Sequence, residues 1–221
     1  MSQKVVIMGG VGNGTVIAQA IQDASRRGCK EYEVAGYFSD RLEVGTDIQG
    51  FPVLAKTCRE NVEKYTSMGY KFIWTIYRID GQTERLNLFN ELGFSEKNLV
   101  TFIHPLAYVA PDVRVEAGVV IMPYAMISAA AHIGMGTLIM TGATVGHDTE
   151  IGKFNHIASQ AVVGAFLHVG DGVHFGLNCT VREHLTIGEN ATIGMGAVLT
   201  KDVGAGEIWV GSPAKFLRKA E

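Results

Sequence analysis

The sequence predicts two architectures in one chain, an α/β unit over residues 1–100 and an all-β solenoid of parallel strands over residues 101–221. Up to about residue 98, short apolar runs alternate with polar stretches of helical period. From Ile103 to Leu199 every sixth residue is aliphatic or Phe. Neither a 3.6 nor a 2.0 period produces that count, and chance would give such an unbroken run on the order of once in a billion. The 27 glycines, many directly after the sixth-step residue, are the third observation.

The elements of the first unit follow in order. Residues 4–8 are a buried-strand run, and the glycines after it lead into a helix over 15–26, where Val16, Ile17, Ala20, Ile21 and Ala24 share one face. Gly28 stops that helix. A second strand is expected at 33–38, a helix at 58–68, a third strand at 71–77, a helix at 82–92 closed by Gly93, and a last strand at 99–103. Strands alternating with helices imply a parallel sheet covered on its faces, a Rossmann-like unit.

In the second unit, the residues four places after each bulky one are mostly small, as at Ala107, Ala125, Ala143 and Ala161, with Asn155, Leu167 and Leu185 as exceptions. One large and one small inward residue per hexad is the pattern of a parallel β-helix. Glycines such as Gly134, Gly146, Gly164 and Gly176 are expected to supply conformational freedom at its corners.

Composition excludes several classes. With 19 Lys+Arg against 22 Asp+Glu, the net charge of -3 gives no field to hold nucleic acid. Cys29, Cys58 and Cys179 lack C-x-x-C spacing, so neither a disulfide framework nor a Cys-based zinc site is expected. The longest apolar stretch, 119–131, is interrupted by Pro123, Tyr124 and Ser128 and is shorter than the roughly 20 residues that cross a bilayer, so no membrane insertion is expected. The apolar part of the start, residues 5–8, is too short for a secretory signal. A soluble cytoplasmic protein is the expectation.

Chemistry-bearing side chains sit at particular hexad places. His147-Asp148 follows inward Val145 by two places, where a side chain can point off the solenoid, and an imidazole with a carboxylate neighbour can remove a proton near neutral pH. A solvated surface histidine is the plain alternative. His156 and His174 are 18 residues apart and share a column. His132, Glu150 and His168 share another and mimic a metal cluster, but solenoid surfaces stack polar residues by default, and no metal is expected. His104 is read as structural, and His184 is given no role. The loop from Gly9 to Gly14 follows a strand and precedes a helix, so its N–H groups can face a phosphate. Counting G-x-G-x-x-G from Gly10 puts Thr15 at the last place, which makes a poor dinucleotide fingerprint.

With its unbroken hexads and closing Gly211-Ser212-Pro213-Ala214, the region from 103 to 214 resembles the hexapeptide-repeat acyltransferases. Their left-handed β-helix has three hexads per coil. The stretch around His147-Asp148 resembles the nucleotide-sugar acetyltransferases of the sialic acid O-acetyltransferase-like family, which act on sugars such as UDP-4-amino-trideoxyhexoses. The resemblance implies His147 as general base and Asp148 as the neighbour that raises its basicity. It implies acetyl-CoA as co-substrate, held by His156, Ala165, Leu177, Gly194 and Met195 between the chains of a homotrimer. It further implies that Val11, Gly12 and Asn13 hold the nucleotide-sugar diphosphate and that Asp40 reads the nucleobase. Lys201, Lys215, Arg218 and Lys219 would meet the CoA phosphates or form a solvated tail. Ile121 to Tyr124 and Thr141 to Thr144 agree with the UDP-amino-sugar branch. Asn13 replaces the family's common His, Met140 its usual Asn, and Tyr77-Arg78-Ile79-Asp80-Gly81 its Gly-Asn. The expected activity is acetyl transfer from CoA to an amino group, or less readily a hydroxyl, of a UDP- or GDP-linked sugar. A noncatalytic nucleotide-sugar-binding trimeric scaffold and a transferase with a non-nucleotide acceptor are the alternatives.

Overall fold

The computed structural model of the chain describes residues 2–80 and 82–220; Gly81, within the departure at 77–81, lies outside the described residues. The first unit is a sheet of five strands in the order β3-β4-β2-β1-β5: β1 (Gln3–Met8), β2 (Tyr32–Phe38), β3 (Asp47–Ile48), β4 (Phe51–Ala55) and β5 (Lys71–Trp74). The β1–β2, β1–β5 and β2–β4 pairs are parallel, and β3–β4 is an antiparallel hairpin that pattern reading leaves out. Helices α1 (Asn13–Arg26), α2 (Arg59–Ser67) and α3 (Thr83–Glu91) complete the unit. Each apolar run alternates too little to be solvated on one side, as the covered faces of β1 require: Val5 to Met8 are all 0% exposed. Strand β1 lies between β2 and β5, so the chain leaves it toward opposite sides, and a crevice opens at its carboxyl end where the Gly9–Gly14 loop lies.

From Phe102 the chain winds as a left-handed parallel β-helix of two-residue strands, each paired in register with the strand 18 residues on. Three faces result. The first contains Val120–Ile121, Leu138–Ile139, His156–Ile157 and His174–Phe175; the second Met126–Ile127, Thr144–Val145 and Val162–Val163; the third His132–Ile133, Glu150–Ile151 and His168–Val169. The sixth-step residues from Ile121 onward line the interior together with the small residues four places later. The exceptions fit as well: Leu167 and Leu185 are buried, and fully buried Asn155 donates to the carbonyls of Gly152 (2.8 Å) and Gly170 (3.1 Å) while accepting from Val173 N–H (2.6 Å).

Three expectations are corrected. The glycines after the bulky residues do not use left-handed freedom. At Gly146 an added Cβ would lie 2.5 Å from Ala165 N and Gly164 C of the next coil, so hydrogen in place of a side chain is what lets coils stack. The left-handed backbone falls two residues later, at Tyr124, Ala130, Asp148, Phe154, Phe166 and His184 among others, with φ between 53° and 63°. Second, residues 99–103 are not a strand of the α/β sheet. Leu99 makes one bridge to Phe72, whereas Phe102–Ile103 pairs with Val120–Ile121 and opens the solenoid. Ile103, at that uncovered end, is 42% exposed rather than a core residue. Third, the cationic end is ordered as a hairpin, Glu207–Val210 against Lys215–Lys219.

The two units share packing. Outward residues of the first face, Val120, Met122, Leu138 and Met140, join the cluster built from β1, β2 and α1. Phe154 packs against Phe89 of α3 with ring centroids 4.6 Å apart and planes tilted by 59°. This docking sets the Gly9–Gly14 loop over the first face.

Candidate functional site

Two cavities flank the Gly-rich loop, one where the units meet and one within the α/β unit. The larger, about 790 Å³, lies between Val11, Gly12, Asn13 and the segment Thr75 to Ile79 on one side and the first face of the solenoid on the other. His156, Leu177, Gly194 and Met195 contribute to its wall, as do Met140 and His174. The second, about 500 Å³, occupies the carboxyl-end crevice of the sheet and is lined by Gly9 to Val11, Asn13, Asp40 and Arg85 among others. The Gly-rich loop therefore borders both. Gly9, at φ 111°, has room for no Cβ, since one would lie 2.9 Å from Thr75 Oγ1. Helix α1 starts directly after Gly12, so its first free N–H groups belong to this rim. Asp40 lies two residues past the end of β2 with one carboxylate oxygen accepting from Thr57 N–H at 2.8 Å.

His147 and Asp148 stand elsewhere, at the corner between the second and third faces, and neither lines the large cavity. Asp148 occupies the left-handed turn position at φ 53°, which Asp tolerates better than most residues, and its carboxylate accepts from His147 Nδ1 at 2.7 Å. With that nitrogen donating, Nε2 carries the lone pair. Both side chains are about half exposed, 53% and 47%, so the pair organises the ring more than it stabilises the fold. Phe166, one coil on from Asp148, meets the His147 ring edge-on at 4.9 Å, and its N–H donates to His147 C=O at 3.1 Å. His184 stacks on Phe166 at 4.7 Å. Ala165 sits one coil beyond His147, at the same corner and also outside the cavity. The residues expected to act together are thus divided between two corners of one chain.

The cavity wall holds a stack of three rings. Tyr77 lies over His156 at 5.3 Å and 24°, and His156 over His174 at 4.9 Å and 20°. Tyr77 donates its hydroxyl to Gly136 C=O. The two imidazoles meet Nδ1 to Nδ1 at 2.9 Å, and the enclosed Nε2 of His156 has no hydrogen-bond partner among the described residues. Burial holds His156 down to about 3, assisted by its histidine neighbour, and burial holds His174 down to about 4. Between the ordinary histidine value near 6.5 and about 4, the unfolded chain binds protons that the fold refuses, so stability falls as pH falls through that window. Urea midpoints should therefore drop more from pH 7 to pH 5 in the wild type than in a His156→Phe/His174→Phe double variant; equal drops would remove the pair from the acid response.

The remaining residues sort by contact. His132 turns to Glu116 at 2.9 Å while His168 faces Glu150 at 3.3 Å, so that column does not converge, and no group of three or more ligating side chains is placed for a metal ion among the described residues. Fully buried His104 accepts from Leu106 N–H at 3.2 Å, with Nε2 3.2 Å from Asp23 of α1, a tie between the units. Arg218 bonds Asp80 and Lys219 lies 3.4 Å from Glu207, which leaves Lys201 and Lys215 as exposed cations near that end. Sequence reading named Tyr77 only within a departure near the sugar-nucleotide site, not as a ring of the wall, and missed Phe166 as a contact of His147. The second was available from the 18-residue column it shares with Asp148; no pattern signals the first.

Comparison with known proteins follows the same division. Residues 130–165 match the family model described as bacterial transferase hexapeptide (six repeats), and residues 167–201 the hexapeptide repeat of succinyl-transferase. No curated protein sequence matches. A solved structure of perosamine N-acetyltransferase from Caulobacter crescentus, a histidine-to-asparagine mutant in complex with CoA and GDP-perosamine, is 28% identical. It covers 98% of this chain and 97% of its own, with a TM-score of 0.82. The acetyltransferase domain of PglB from Neisseria gonorrhoeae, in complex with acetyl coenzyme A, is also 28% identical, over 98% of this chain and 100% of that one, with a TM-score of 0.82. WeeI from Acinetobacter baumannii shares the fold at 22% identity and a TM-score of 0.75.

Proposed function

We propose that this hexapeptide-repeat chain, which shares its fold along nearly its whole length with nucleotide-sugar N-acetyltransferases, moves acetyl from acetyl-CoA to the amino group of a nucleotide-linked sugar. The observation that carries the reading is the large cavity, because a Gly-rich loop suited to phosphates and a solenoid wall suited to a pantetheine arm close on the same space. The neighbouring crevice with Asp40 supports a place for the nucleobase.

The amine lone pair attacks the thioester carbonyl carbon and forms the C–N bond. Nε2 of His147 takes the amine proton, and Asp148 steadies the imidazolium through Nδ1. Collapse of the tetrahedral intermediate breaks the C–S bond, and the imidazolium proton goes to the departing CoA sulfur, giving the amide and free CoA.

Since His147 and the cavity occupy different corners, the reading requires a second copy. In a homotrimer with each second face turned to the threefold axis, the second–third corner of one copy meets the first–second corner of the next, where Leu177 and Met195 stand. The outward side chains of that second face support this arrangement: Tyr108, Met126, Val162 and Val198, each 37–59% exposed, share a column with Thr144 and Thr180 and carry no charge. No helix among the described residues is long and apolar enough to cross a membrane. The cytoplasm, where acetyl-CoA and activated sugars are made, is the proposed compartment.

A thiol-release assay with acetyl-CoA against UDP-, GDP-, CDP- and dTDP-linked amino sugars tests the function. The expected result is CoA release that depends on one nucleotide and on a free amine. No release with any acceptor, together with no calorimetric binding of acetyl-CoA at millimolar concentration, would leave a noncatalytic scaffold.

A further inference from the structure

We infer that His174 is a positioning residue that donates its Nδ1–H to Nδ1 of His156, fixing His156 as the Nε2–H tautomer and so aiming one imidazole donor at the acetyl carbonyl oxygen. The inference rests on the reaction proposed above.

The geometry restricts the protons. Two bare nitrogens 2.9 Å apart would set lone pair against lone pair, and two N–H groups would collide, so a single proton lies between the rings. Burial keeps both rings neutral near pH 7, so two protons are shared by the pair. One lies between the Nδ1 atoms, and the other sits on an Nε2. If His174 donates, the second proton is on His156; if His156 donates, it is on His174.

The surroundings favour the first arrangement once a ligand is bound. His156 belongs to the cavity wall, and its Nε2 is enclosed and unmet by any group among the described residues. A buried polar atom without a partner is destabilising, and a ligand atom of the opposite kind relieves that cost. The proposed reaction brings an acceptor to this wall, the thioester oxygen, which gains negative charge as the amine adds. Met140, in the same wall, offers no N–H or O–H to meet that charge. Both rings are held in place, because Tyr77 packs against His156 and His174, itself 6% exposed, meets its Nδ1 edge with the ring planes 20° apart. His174 therefore acts through His156.

Neutron diffraction from the deuterated full chain at pH 7 with bound acetyl-CoA reads the tautomers directly. Deuterium is expected on His174 Nδ1 and on His156 Nε2; a bare His156 Nε2 overturns the inference. Kinetics supply the second readout. His174→Phe keeps a ring in the stack without the donor, and its kcat should fall roughly 10- to 100-fold while KM for acetyl-CoA stays within roughly threefold. His174→Asn restores an N–H near the Nδ1 position and should recover most of the loss. Phe and Asn variants of equal activity would overturn the inference. Should the wild type transfer acetyl to no acceptor at all, the reaction falls separately, and the neutron map still decides which ring donates.

Discussion

Replacing His147 with Ala is expected to lower kcat by about 10² to 10⁴-fold, roughly 3–5 kcal/mol of barrier, while leaving the fold and the association of copies unchanged. The two effects separate because of where the ring stands. It is half exposed, its only polar partner is the equally exposed Asp148, and its removal opens no core cavity, so the stability change should stay within about 0.5 kcal/mol. The catalytic loss is large for the opposite reason. The proton of the attacking amine has to leave as the C–N bond forms, and His184, the other imidazole along this corner's ring stack, stands one ring further on beyond Phe166. Asp148→Asn should cost less, since the carboxylate orients the ring without taking the proton. The measurement is steady-state kinetics on size-checked protein, and wild-type turnover in the Ala variant would remove His147 from the mechanism.

The largest expected loss of stability is at Phe175. It is fully buried, and the strand register sets it directly between Ile157 and Ile193 in the column of bulky residues that fills the prism. Coils stacked at fixed spacing cannot close over a missing ring, so Phe175→Ala should cost about 3–5 kcal/mol, the sum of lost transfer energy and the cavity left behind. Phe216→Ala, on the C-terminal hairpin and half exposed, should stay within about 0.5 kcal/mol. Urea unfolding of the two variants compares them, and similar losses would mean that the solenoid interior does not hold the chain together. Because His174 precedes Phe175 on the same strand, the Ala variant should also loosen the histidine pair.

How much of this was legible in the sequence depended on whether a local rule repeated. The hexad count named the interior of every coil from Ile121 onward, since a six-residue step admits one inward register. The same rule placed His156 above His174 and His132 in line with Glu150. It misjudged the glycines, because sequence shows that a side chain is missing without showing whether φ or a neighbouring coil demands it; Gly146 and Asp148 exchange the expected roles. The strand at 99–103 was misassigned since an apolar run carries no label for the sheet it joins. Two-residue β3 is too short for a period, and Pro52 weakens the strand reading of five-residue β4. His147 and Asp148 point off the solenoid, as their place two residues after inward Val145 predicts, and the Gly9–Gly14 loop joins a strand to a helix as expected; their roles came from the resemblance. The separation of pair and loop onto two corners was not readable, because it follows from how the α/β unit docks on the first face, through Met122, Leu138, Met140 and Phe154, and no spacing encodes that docking.

The central claim, that one copy supplies the base and another the cavity, is tested most directly by mixing two inactive chains. His147→Ala lacks the base, and Leu177→Trp obstructs the cavity wall. Each alone should be inactive, and co-assembled chains should regain a substantial fraction of wild-type acetyl transfer, because some corners would pair an intact His147 with an intact Leu177. Mixed assemblies that form but stay as inactive as either parent would contradict a site shared between copies.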